Sequence, residues 1–70
     1  MIGKNVKVYD GVTIAAFSSF HQNKSHTWVE DDVIVFSGAT IYGDKTIIGK
    51  GSVIGSKVVI SESVLPNQKI

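Results

Sequence analysis

Isoleucine or valine returns every six residues through most of this chain. Ile2, Val8 and Ile14 form one trio, Val29, Val35 and Ile41 a second, and Ile48, Ile54 and Ile60 a third. Four residues after most of these comes a second small or aliphatic residue: Val6, Val12, Val33, Ala39, Ser52, Val58 and Val64. Six is neither a helical nor a hairpin period. It predicts a solenoid in which each six-residue unit supplies one short strand and one corner. Valine and isoleucine suit the pleated, half-buried straight pieces. Glycines near the predicted corners, Gly3, Gly11, Gly38, Gly43, Gly49, Gly51 and Gly55, tolerate the sharp bends required there.

Three trios imply three coils, the first from Ile2 to about Ala15, the second from Val29 to Ile47 and the third from Ile48 to about Leu65. Two interruptions break the period. Between Ile14 and Val29 the chain has about nine residues too many, so a loop within Phe17 to Thr27 is expected to extrude. The step from Ile41 to Ile48 is seven residues, a one-residue bulge around Gly43, Asp44 and Lys45. Loops extruded from a rigid scaffold commonly carry function, and this one holds both histidines, His21 and His26, with Phe17, Phe20 and Gln22.

Some apolar residues exceed what the hexad core can hold. Lys7, Ile34 and Val53 are expected to share one face, Tyr9 and Phe36 a second, and Tyr42, Ile47 and Leu65 a third. Outward apolar groups on a small solenoid point to a partner subunit. Length argues the same way. At 70 residues a single core rarely supplies more than about 3–5 kcal/mol without disulfides, metal or partners. With no cysteine there is no disulfide, and two histidines alone do not make a structural zinc site.

The formal net charge of +1 gives no electrostatic footprint for nucleic acid. No apolar run reaches the roughly 20 residues of a membrane span, and no signal peptide is expected at the start. The composition points to a soluble cytoplasmic protein, with neither nucleic acid nor membrane as partner.

Several segments carry a resemblance. They are Asn5-Val6-Lys7-Val8-Tyr9-Asp10-Gly11-Val12-Thr13-Ile14, His26-Thr27-Trp28-Val29-Glu30-Asp31 and Gly38-Ala39-Thr40-Ile41-Tyr42-Gly43. To these are added Thr46-Ile47-Ile48-Gly49-Lys50-Gly51-Ser52-Val53-Ile54-Gly55 and Glu62-Ser63-Val64-Leu65-Pro66-Asn67. Over nearly its whole length the chain resembles the C-terminal part of serine O-acetyltransferases, within the hexapeptide-repeat acyltransferases. The resemblance implies an all-β, short left-handed parallel β-helix of about three coils assembled as a homotrimer. It also implies transfer of acetyl from acetyl-CoA, as co-substrate, to a small hydroxyl acceptor.

Carried over residue by residue, the resemblance places His26 in the substrate pocket and backbone coenzyme contacts at Ala16, Ser37 and Ser56. Departures accompany it. Thr27 and Trp28 follow His26 where the family has proline and another residue, Ser25 stands where an arginine often holds the substrate carboxylate, and Ala15 and Ala16 replace paired glycines. The family's histidine base and its carboxylate partner precede the stretch matched here. His26 and His21 are then the only side chains with the intrinsic pKa of a general base, and His26, next to a coil, is the better placed.

Other residues keep two readings. Glu30, Asp31 and Asp32 either orient an imidazole or bind a cation, or form a solvated corner. Asp10 reads as a turn residue. Trp28 either stacks on an adenine or neighbouring subunit or packs beneath the loop. Lys45 or Lys50 either meets coenzyme phosphates or is solvated. The competing account of the whole chain is a non-catalytic trimeric module that binds through its extruded loop.

Overall fold

A computed structural model describes residues 2–15, 27–42 and 46–70, without the side chain of Ala15. The predicted loop, apart from Thr27, and the bulge at Gly43 to Lys45 lie outside the described residues. What is described is all-β, with eight short strands and no helix. No helix among them is long and apolar enough to cross a membrane.

Every strand pairing is parallel, and each strand meets the one three places further along the chain. Sheet one holds β1 (Lys7–Val8), β4 (Ile34–Val35) and β7 (Val53–Ile54); sheet two holds β2 (Thr13–Ala15), β5 (Thr40–Tyr42) and β8 (Val59–Ile60). Sheet three holds β3 (Thr27–Val29) and β6 (Thr46–Ile48), and is extended by bridges from Ile2 to Val29 and from Ile48 to Val64. The chain thus descends through tiers. The hexad trios are in register, Val8 with Val35 and Ile54, Ile14 with Ile41 and Ile60, and Ile2 with Val29 and Ile48.

The core is the stack of these positions. Val29, Val33, Val35, Ala39, Ile41, Ile48, Ile54, Ile60 and Val64 are buried, joined by Ser52. Full burial of one such aliphatic side chain stabilises by about 1.5–3 kcal/mol. The second series closes the corners from inside, with Val6, Val12 and Val58 packed against the core.

Corners repeat as strictly as strands. Asn5, Asp32, Gly51 and Asn67 have φ of 59, 62, 76 and 61°, and Gly11, Gly38 and Lys57 have 74, 76 and 61°. These are two columns of residues in the left-handed region, which L-residues other than glycine enter at a cost. At Gly38 the turn is closed by the Ala39 N–H donating to the Phe36 carbonyl at 3.4 Å. Positive φ at the third residue alone marks it as type II.

Three expectations change. Val64 is not a corner residue four after Ile60: it lies in register beneath Ile48, starting a further tier, because this step is three residues shorter than that from Val29 to Ile48. Lys69 follows it beside Val53. Thr27 belongs to β3 and is buried, so it is not loop. The outward residues also regroup: Tyr9 and Phe36 directly follow β1 and β4 and flank sheet one with Lys7, Ile34 and Val53, whereas Tyr42 is on sheet two and Ile47 on sheet three.

Candidate functional site

Two places gather groups with chemical potential. The first is the corner between sheets one and two, where Ser37 and Ser56 stand on successive tiers. The Lys57 N–H donates to the Ser37 carbonyl at 3.0 Å, which locks one turn above the next, and the Gly38 N–H donates to Asp10 at 3.0 Å above it. Both serines are exposed, and among the described residues neither spends its amide N–H on a backbone carbonyl. Asp10 is therefore a turn residue that supports this column through its carbonyl.

Beside the column lie two rings. Tyr9 and Phe36 stack with centroids 5.1 Å apart and planes inclined by 28°, a separation favourable for offset aromatic pairs. Phe36 is half-buried and Tyr9 exposed. Lys57 completes the corner, its stem close to Gly38. Hexad counting does not single out Lys57, since a lysine in a glycine position carries no periodic signal; the positive φ of its stacked neighbour Gly38 is the clue. An exposed corner with two amides not spent on described backbone carbonyls, an aromatic flank and a lysine offers hydrogen bonds, a stacking surface and a point charge to an extended polar ligand.

Ala16 and His26 both lie outside the described residues. Ala15 pairs with Tyr42 at the end of β2.

The second place is a cavity of about 360 Å³ on the side of sheet three, lined by Gly3, Trp28, Val29, Glu30, Asp31 and Lys50. Trp28 points outward from β3, in register above Ile47, and is 45% exposed. The acidic run, however, is occupied with the fold. The Asp31 carboxylate accepts the Lys4 N–H at 2.7 Å, and the Glu30 carboxylate accepts the Lys50 N–H at 3.1 Å. Asp32 provides the left-handed corner and donates its N–H to the Lys4 carbonyl at 2.9 Å. Each acid thus braces a corner between tiers. Charge-assisted bonds of this kind are stronger than neutral ones, and they explain the run without a cation. Among the described residues no three His, Cys, Asp or Glu side chains gather as metal ligands do.

No protein-family model matches the chain, and no curated protein matches it at a significant level.

Proposed function

We propose that the tiers wind as a left-handed parallel β-helix of three coils, that three copies associate through their outer faces, and that the assembly is a cytoplasmic acetyl-CoA-dependent O-acyltransferase of the serine acetyltransferase kind. The observation that carries this reading is the exposed Ser37–Ser56 column, whose amide N–H groups are not spent on described backbone carbonyls and which adjoins the Tyr9–Phe36 rings. In this reading the coenzyme lies along that corner, with Lys57 near its phosphates. His26 faces the acceptor hydroxyl and takes its proton as the oxygen attacks the thioester carbonyl. The C–O bond forms, the C–S bond breaks, and the imidazolium returns the proton to the departing thiolate.

Calorimetric titration with acetyl-CoA, with serine present and absent, tests the reading; no heat of binding at about 1 mM coenzyme, the weak end of useful affinity, overturns it. Ser37→Pro is the pointed variant. Proline suits the second position of a type II turn and removes the amide N–H, so the fold persists while coenzyme affinity falls by about tenfold, the worth of one hydrogen bond. His26→Ala then abolishes turnover, and unchanged turnover shows another base.

A second reading, a non-catalytic trimeric binding module, draws on Trp28, Ile47, Val59 and Leu65, which are 45, 43, 61 and 73% exposed on the outer surface. A trimer that binds no acetyl-CoA would favour it.

A further inference from the structure

The outer face of sheet one is described through four tiers, and its side chains form an ordered pattern. Lys7 pairs with Ile34, Ile34 with Val53, and Val53 with Lys69. Their strand neighbours Val35 and Ile54 are fully buried, so by alternation this column faces outward. Ile34 and Val53 are half-buried, and both lysines are exposed. The column is thus two aliphatic residues with a cation at each end, flanked by the half-buried Phe36 ring. Among the described residues neither lysine has an ion-pair partner. The stretches outside the described residues between Ala15 and Thr27, and between Tyr42 and Thr46, join sheet two to sheet three, at the corner that sheet one does not border. Being a side of the stack, the face does not depend on what lies above the first tier or below the last.

The geometry points to an extended acidic peptide as the occupant, lying along the stack with two carboxylates that reach Lys7 and Lys69 and one apolar side chain between them. Neighbouring strands lie about 4.8 Å apart, so three steps set the two lysine backbones about 14 Å apart. An extended chain rises about 3.4 Å per residue and presents alternate side chains to one face. Acids at its first and fifth positions therefore stand about 14 Å apart as well. The third position falls midway, over Ile34 and Val53 and beside Phe36. Each carboxylate accepts a charge-assisted hydrogen bond from a lysine ammonium, and apolar area is removed from water between the two.

Charge complementarity selects this partner over the others. A second copy set face to face about a two-fold axis through the patch lays lysine on lysine. An axis along the stack opposes Lys7 to the partner's Lys7, and an axis along the strands opposes Lys7 to the partner's Lys69. A segment of this chain does not match either, since none of its acids is followed by another four residues later. A continuous polyanion such as nucleic acid meets Asp32, two residues before Ile34, and Asp10, next to Tyr9. Negative charge at two ends with an apolar middle is what the face selects. It adjoins the Ser37–Ser56 corner but uses neither serine, so the inference does not rest on the acyltransferase reading.

Titration of the isotope-labelled protein with the end-blocked peptide Thr-Glu-Thr-Val-Thr-Glu-Thr tests the proposal through the amide resonances of sheet one. Shifts centred on Lys7, Ile34, Val53 and Lys69 are expected, saturating near about 1 mM peptide, as suits exposed ion pairs. Lys7→Glu or Lys69→Glu weakens binding by about tenfold. The double variant Lys7→Glu, Lys69→Glu instead binds the peptide in which both glutamates are replaced by lysine. Moving the second acid two residues closer weakens binding to the unaltered protein by a similar factor, because only one lysine is then reached. Absence of shifts at about 1 mM peptide, or shifts confined to sheets two and three, overturns the proposal. So does an oligothymidylate that binds more tightly than the peptide, and so does failure of the lysine peptide to bind the double variant.

Discussion

The first tier and the second are nearly the same sentence written twice, yet one is a surface and the other a core. Lys7-Val8 pairs with Ile34-Val35 and Thr13-Ile14 with Thr40-Ile41, strand for strand. Val35 and Ile41 have neighbours above and below and are wholly buried; Val8 and Ile14 have described neighbours only below and stay 48 and 36% exposed. In a stack, a residue's energetic weight comes from its tier as much as from its type. Stability is then a sum of nearest-neighbour interfaces, and among the described residues the first tier makes one where the second makes two.

Substitutions at matched register positions sharpen the contrast. Ile48→Ala, in the column of Ile2 and Val29, removes a fully buried side chain and is expected to cost about 2–5 kcal/mol in urea denaturation. Ile2→Ala, at a half-exposed position, should cost about 1 kcal/mol or less, in proportion to the area already open to water. Equal costs at the two sites would remove the distinction between tiers.

Next in size is Ser52. Its buried hydroxyl donates to the Leu65 carbonyl at 2.9 Å and accepts the Gln68 N–H at 3.2 Å, tying the third tier to the chain beneath it. Ser52→Ala strands two backbone groups and is expected to lower stability by about 1–3 kcal/mol. The smallest effect has the opposite sign. Lys57 occupies with φ of 61° the corner that Gly11 and Gly38 fill in the tiers above. Lys57→Gly relieves that conformation and should raise the urea midpoint by the equivalent of up to about 1 kcal/mol. No gain would mean that the lysine's packing against Gly38 offsets its strain.

These positions also mark what the sequence reveals and what it hides. The trios are legible because one core position recurs at fixed spacing, and their register follows from it. Val64 is misread because the last step is shortened, and a period cannot show where it stops applying. The regrouping of Tyr9 and Phe36 onto the flank of sheet one is hidden because spacing gives rank within a hexad but not the location of the bend. The bracing role of Glu30 and Asp31 is hidden in sequence, where they read as imidazole- or cation-directed or as a solvated corner, since the N–H groups they accept belong to Lys50 and Lys4 on neighbouring tiers. Of the site residues, Ser37 and Ser56 fall on one corner as equal hexad positions should, while Ala16 and His26 lie outside the described residues.

Native-state amide exchange measures the difference between tiers most directly. The N–H groups of Ile34, Phe36 and Thr40 donate downward to Ser52, Ile54 and Val58, at 3.0, 2.9 and 2.8 Å, from within a covered tier. Those of Lys7, Tyr9 and Thr13 make equivalent bonds to Val33, Val35 and Ala39, at 2.9, 3.0 and 3.0 Å, from the open one. The first group should exchange only through global unfolding, and the second by local opening at least about tenfold faster. Indistinguishable protection across the two groups would contradict the account.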